Sequence, residues 1–214
     1  RLIGDVFRDA GFPEGVVNVV TNAPADAAEV VAALVRHRAV RRINFTGSTK
    51  VGRIIATLAA EQLKPVLLEL GGKAPMIVLD DADLDAAVAS AGFGAFMNSG
   101  QICMSTERII VEEAVADAFI AKFRARVEAL RAGDPRQGAA PLGSVIDTAT
   151  AQRIRHFIDD AVSKGATMLG EAGDDATLLS AVALVDVTPE MLIYAEESFG
   201  PVTTILRAKD DDDA

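Results

Sequence analysis

The sequence predicts an α/β protein built on parallel strands. Short apolar runs alternate with stretches whose apolar residues recur at helical spacing. The links between them are brief, as in units where a helix crosses over from one parallel strand to the next. Half of the 214 residues are hydrophobic but only 5% are aromatic, with no tryptophan, so the core must be packed from Ala, Val, Leu and Ile.

The elements follow in order. Residues 1–10, "RLIGDVFRDA", read as helix, with Leu2, Ile3, Val6, Phe7 and Ala10 on one face and Gly11 as its C-terminal cap. The run "VVNVV" (16–20) reads as a buried parallel strand. Asp26 can cap a helix that turns Ala27, Val30, Val31, Leu34 and Val35 inward. A strand over 41–45, a helix over 47–60 and a strand over 65–70 complete a β-α-β-α-β series. After "GGKAP" (71–75) the pattern restarts with a strand at 76–79 and a helix from Asp83 toward Phe96. A strand at 108–111 leads into a helix carrying Val115, Phe119, Ile120, Phe123, Val127 and Leu130, stopped by Gly133, Asp134 and Pro135. The stretch "RQGAAPLGS" (136–144) is a loop. Ile154, Phe157, Ile158, Ala161 and Val162 mark another amphipathic helix, closed by Gly165, and strands near 182–187 and 202–206 follow. The acidic run near the C-terminus is most simply solvated surface.

Composition narrows the function. A formal net charge of −10 and a pI near 4.7 would repel phosphate backbones, which argues against a nucleic-acid partner. A single cysteine excludes an internal disulfide and fits a cytoplasmic setting. His37, Cys103 and His156 are scattered and form no metal-ligand pattern. No apolar run approaches a membrane span, and no signal peptide is evident. The chain opens inside a helix on Arg1 rather than Met and stops soon after a strand, so it reads as a slice of something longer.

Four stretches carry chemistry-bearing residues. "FTGSTKVG" (45–52) places Gly47 and Gly52 at a strand-to-helix turn, where backbone N–H groups favour an anion; on local evidence alone a plain turn capped by Ser48 or Thr49 is the simpler reading. It is neither a P-loop, since Arg53 and Ile54 follow Gly52, nor a G-x-G-x-x-G fingerprint. Glu69 ends a strand just before Gly71 and Gly72, and its neighbours Leu68 and Leu70 should partly desolvate it, a setting for a general base; the alternative is a strand-end carboxylate pointing to water. Cys103 lies in "NSGQIC" (98–103), where a lone thiol is either core filler or a nucleophile near loop N–H groups. In "AEESFGPV" (195–202) the paired glutamates are either a surface turn or acceptors for a sugar's hydroxyls beside Phe199.

Taken together and in order, "FTGSTKVG", "LELGGKAP" (68–75), "NSGQIC" and "EESFGPV" (196–202) resemble the aldehyde dehydrogenase superfamily. "GFPEGVVNVV", "APLGSVID" and "VTPEM" support the likeness, which runs along the whole chain. The resemblance implies the C-terminal part of an NAD(P)-binding domain over residues 1–70 and a truncated α/β catalytic domain over 71–214. Cys103 matches the nucleophile, whose backbone N–H helps hold the oxyanion, and Glu69 matches the base that activates water to hydrolyse a thioester. Gly47, Ser48, Val51 and Gly52 match residues at the cofactor diphosphate, and Leu70 and Gly71 lie next to the nicotinamide. Glu197 matches the carboxylate on the nicotinamide ribose, with Phe199 packed nearby. The cofactor implied is NAD or NADP, the substrate a small aldehyde, and the assembly a homo-oligomer, dimer or tetramer, with no membrane. Ile102 and Met104 beside the thiol resemble members acting on aromatic aldehydes such as salicylaldehyde or vanillin.

Two competing classes are a non-catalytic homologue and a reductase acting on acyl phosphates. The first has no chemical reason to keep both Glu69 and Cys103, and the second lacks the water-activating glutamate. The family's second oxyanion donor, an Asn, and the residues that read the adenosine ribose fall outside these 214 residues, so this stretch by itself is expected to be inactive. The check is NADH production from benzaldehyde by the purified 214-residue chain. Turnover of about 1–10 s⁻¹, the usual enzyme range, would overturn the expectation.

Overall fold

A computed structural model describes residues 2–138 and 140–214. Arg1, at the head of the expected first helix, and Ala139, in the expected loop 136–144, lie outside the described residues. The chain divides into two compact units, Arg1–Leu70 and Gly71–Ala214.

The first unit holds α1 (Leu2–Asp9), α2 (Ala27–Arg36), β1 (Ile43–Gly47), α3 (Thr49–Ala60) and β2 (Val66–Leu70). The two strands pair in parallel, Ile43 opposite Val66 and Gly47 opposite Leu70, with α3 as the crossover between them. Val35, Ile55 and Ala59 form the buried centre, packed by Val31, Ile43, Phe45, Leu58 and Val66. Lys64 closes the end of α2 by donating its Nζ to the carbonyls of Val35 and His37.

Two expectations fail here. Residues 16–20 form no strand: Val16, Val17, Val19 and Val20 are exposed by 37 to 71%. The run pairs with neither β1 nor β2, and an extended run without ladder partners cannot bury both faces. Its backbone turns instead, with Val16 N–H donating to the Pro13 carbonyl and the Asn18 side-chain amide to that of Gly15. Likewise α1 forms, but no residue on its apolar face is buried.

The second unit is a five-stranded sheet in the order β3 (Pro75–Val78), β4 (Arg108–Glu112), β7 (Val202–Ala208), β6 (Val182–Val185), β5 (Thr167–Gly170). All pairs are parallel except β5 with β6. The antiparallel edge strand β5 was not foreseen; Thr167, Met168, Leu169 and Gly170 carry too short an apolar run to stand out. Between the strands lie α4 (Leu84–Phe96), α5 (Glu113–Ala129), α6 (Thr148–Ser163) and the single turn α7 (Leu192–Ala195).

Strand parity builds the layers. On β6, Ala183 and Val185 join Phe119 and Phe123 of α5 and Ala91 and Phe96 of α4 in one core, whose centre is thus partly aromatic and not the purely aliphatic core that the composition predicts. Val182 and Leu184, on the opposite face, join Ile154, Phe157 and Ile158 of α6 in the other. Such a strand, buried on both faces, is why 182–185 reads as an unbroken apolar run. Two helix starts follow capping chemistry: Asp83 accepts from Asp85 N–H and Ala86 N–H at 3.0 and 3.1 Å, and Asp147 from Thr150 N–H at 2.7 Å. Asp26 precedes α2 as expected, but its side chain makes no capping hydrogen bond.

Candidate active site

In the second unit three entry loops meet because their strands are neighbours. β3 pairs with β4 at Pro75–Arg108, and β4 pairs with β7 at Arg108–Thr204. The segments that lead into these strands, 71–74, 98–107 and 196–201, therefore run side by side at the amino ends of three parallel strands. Glu107 N–H donates to the Ala74 carbonyl at 3.1 Å, and the Thr203 hydroxyl to the Thr106 carbonyl at 2.9 Å.

Cys103 is exposed on the middle loop, so it does not fill a core. The loop before it is unusual. Asn98, Ser99 and Gly100 are consecutive left-handed residues, with φ of 52°, 56° and 68°. Such residues cost of order 1–3 kcal/mol each when they are not glycine and persist only when the surroundings over-determine them. Here they do. A Cβ on Gly100 would lie 2.0 Å from the Gly200 carbonyl oxygen, so the two backbones touch. The Ser99 hydroxyl donates to the Gly143 carbonyl at 3.3 Å. Gln101 ties the 143–146 segment across: Ile146 N–H donates to its Oε1 at 2.9 Å and its amide donates to Ser144 at 3.4 Å.

The third loop carries Glu197 and Phe199. The Glu197 carboxylate lies over the α-carbon of Gly71, where a Cβ would come within 2.1 Å of Oε1. Gly72 N–H donates to the same oxygen at 3.3 Å. An ionised carboxylate has about four acceptor directions and one N–H uses one of them, so this group has capacity for a sugar's hydroxyls. Phe199 is left-handed (φ 46°) and 37% exposed. Its loop is pinned from behind. Glu107, buried, accepts from Ser198 N–H through Oε1 and Oε2 at 3.0 and 2.9 Å and from Phe199 N–H at 3.1 Å. Lys73 Nζ lies 2.6 Å from Glu107 Oε2. Burial pushes the Lys73 ammonium below its ordinary value of 10.5, while the Glu107 carboxylate pulls the other way. Arg153 donates to the Glu197 carbonyl at 3.0 Å, and Arg108 to that of Tyr194 at 2.6 Å.

In the first unit the pattern is the reverse, with candidate residues at the carboxyl ends of the strands. Gly47 ends β1, and Ser48 caps α3, accepting from Val51 N–H at 3.3 Å. Gly52 is buried against Leu70, where a Cβ would come within 2.7 Å of its Cδ2. With Val51 N–H held by the cap and Gly52 N–H by the Ser48 carbonyl, the Thr49 and Lys50 N–H groups lack intrahelical partners, as at any helix start. The twelve-residue α3 thus offers an anion a helix N-terminus with glycine beside it.

Glu69 is exposed near the end of β2, not partly desolvated as expected. Strand alternation is the reason: Val66, Leu68 and Leu70 face inward, so Glu69, between two leucines in sequence, shares its face with Leu67.

Lys73, Gln101, Glu107 and Arg153 were not singled out from the sequence. Glu107 left the clearest trace, a charge set directly against the strand run "RIIV". Among the described residues no group of three or more His, Cys, Asp and Glu is placed to hold a metal, and no helix is long and apolar enough to cross a membrane.

The pattern described as "Aldehyde dehydrogenase family" matches residues 1–214. A vanillin dehydrogenase from Pseudomonas fluorescens is 57% identical over 98% of this chain and 43% of its own length. A crystal structure of a salicylaldehyde dehydrogenase from Pseudomonas putida G7, complexed with salicylaldehyde, superposes with a TM-score of 0.94 at 45% identity, over 99% of this chain and 44% of that one. An NADP-dependent glyceraldehyde-3-phosphate dehydrogenase from Bacillus halodurans C-125, complexed with NADP, gives 0.92 at 41% identity, over 99% and 43%. The chain thus spans less than half the length of these relatives.

Proposed function

Since the chain belongs to the aldehyde dehydrogenase family, we propose that the natural polypeptide containing it oxidises an aromatic aldehyde to the carboxylic acid with NAD or NADP. The observation that carries this reading is the exposed Cys103 on a loop held in a left-handed conformation from both sides. The aromatic preference draws on the vanillin and salicylaldehyde enzymes to which the chain is similar.

The Cys103 thiolate attacks the carbonyl carbon, and the carbonyl electron pair moves to oxygen, which accepts a hydrogen bond from the Cys103 N–H. When bound, the nicotinamide supplies the acceptor for the hydride, whose departure from carbon leaves a thioester on Cys103. Glu69 takes a proton from water as the water oxygen attacks the thioester carbon, and the C–S bond breaks to release the acid and restore the thiolate. An exposed carboxylate suits the approach of water to this base.

The cofactor's diphosphate is assigned to Gly47, Ser48, Val51 and Gly52, its nicotinamide to the neighbourhood of Leu70 and Gly71, and the attached ribose to Glu197 beside Phe199. Two features support the fit: the free N–H groups at the start of α3, and the carboxylate over a glycine that leaves it room. On this reading residues 1–70 are the end of the cofactor domain and 71–214 belong to the catalytic domain. A free catalytic thiol suits the reducing cytoplasm, and the family likeness favours a homodimer or homotetramer.

Glu69→Gln tests the division of labour. The variant is expected to give a burst of about one equivalent of NADH per site and then stall, because the acyl group stays on Cys103. Rapid-mixing absorbance at the NADH band, with mass spectrometry of the acylated protein, makes the check. Steady turnover at the wild-type rate would remove Glu69 from the mechanism.

A further inference from the structure

We propose that the buried pair Lys73–Glu107 is the positioning device for the cofactor's ribose, acting by fixing the backbone that carries Glu197 and Phe199. The proposal rests on the reading that those two residues meet the ribose and nicotinamide.

The geometry assigns each atom a task. Glu107 Oε1 accepts from the N–H groups of Ser198 and Phe199, and Oε2 accepts from Ser198 N–H and from Lys73 Nζ at 2.6 Å. The side chains are 5% and 11% exposed for Glu107 and Lys73, so neither charge is available to solvent or to a partner. Apolar residues of similar volume often do as well as a buried ion pair for stability, so the hydrogen bonds from Glu107 to the loop backbone, rather than the ion pair itself, point to a conformational role. The conformation specified here is that of one loop. The two N–H groups that Glu107 holds belong to the residues directly after Glu197, one of them the left-handed Phe199. Lys73 follows Gly71 and Gly72, the glycines on which the Glu197 carboxylate rests. The pair therefore locks the two walls of the ribose cradle to each other, one wall from 71–73 and one from 197–199.

An amide at position 107 cannot reproduce this. With its oxygen turned to Ser198 and Phe199, its NH₂ would face the Lys73 ammonium, donor against donor. Removing the ammonium as well should relieve that conflict and leave the oxygen for the loop.

The test uses the natural polypeptide. Dissociation of NADH or NADPH is followed by fluorescence, the KM for cofactor and aldehyde by steady-state rates, and the access of Cys103 by iodoacetamide alkylation without cofactor. Glu107→Gln is expected to weaken cofactor binding by about 10-fold or more, the scale of a hydrogen bond to a charged group. The aldehyde KM and the alkylation rate should stay within about twofold. Lys73→Met/Glu107→Gln should recover part of the loss. Cofactor binding unchanged in Glu107→Gln overturns the proposal. So does a variant in which cofactor binding, aldehyde KM and alkylation all deteriorate together with thermal stability, since the pair would then be general support. A Glu197→Gln arm separates the two levels. If it leaves cofactor binding intact, the ribose reading fails; if it weakens binding while Glu107→Gln does not, the positioning proposal alone fails.

Discussion

Replacing Cys103 with serine in the natural polypeptide is expected to abolish aldehyde oxidation, lowering kcat by at least about 10⁴-fold, the scale on which enzymes lose activity without their nucleophile. A serine hydroxyl at neutral pH has neither the acidity nor the polarisability of the thiol, and no histidine is assigned as its base. The hydroxyl would sit on the same loop, since the loop is fixed by Ser99, Gly100 and Gln101 rather than by the thiol itself. Cofactor binding should therefore persist, which separates loss of chemistry from loss of fold. The wild-type thiol should react with iodoacetamide faster than glutathione does at neutral pH. A serine variant with measurable steady-state turnover, or a wild-type thiol no faster than glutathione, would remove Cys103 from the mechanism.

Gly100→Ala is expected to cost the fold about 3 kcal/mol or more. A left-handed φ of 68° costs a non-glycine residue about 1–2 kcal/mol. The new Cβ would also lie 2.0 Å from the Gly200 oxygen and 3.1 Å from that of Ala95. Both are backbone atoms, so no rotamer change can make room, and either the Cys103 loop or the 196–201 loop must move. Gly143→Ala is the control: its Cβ meets nothing within 4 Å, and the change should stay within about 0.5 kcal/mol. Urea unfolding of both variants makes the comparison. An alanine tolerated at 100 as well as at 143 would mean that the close approach of the two loops does not hold in solution.

Much of the architecture was written locally. Asp83 and Asp147 sit at the starts of α4 and α6, and Val182–Val185 is apolar throughout because it has a core on each side. The same rule misled at 16–20: an apolar run records that burial is wanted, while a strand requires an edge to pair with. Glu69 shows another limit, since flanking leucines in sequence point away from it in a strand. Lys73 and Glu107 were missed because pairing is a tertiary event. Thirty-four residues separate them, and each alone is an ordinary charged residue. The rule that ligands collect at the carboxyl ends of parallel strands drew attention to Glu69 but is silent about Cys103 and Glu197, which lie at the amino ends.

The meeting of three entry loops has a consequence for how the protein is made. Ser198 stands 91 residues after Glu107, an interval of about 5–18 s at ordinary rates of synthesis. Throughout that time the nascent chain already carries Cys103 and the Glu107 carboxylate but not the amides that occupy it or the Gly200 backbone that backs the thiol's loop. Closure must wait for β7 to dock between β4 and β6, a long-range event of the kind that slows folding. Until then the Cys103 loop lacks the Gly200 backbone that it touches in the folded chain, and the Glu107 carboxylate lacks the two amides that it accepts from.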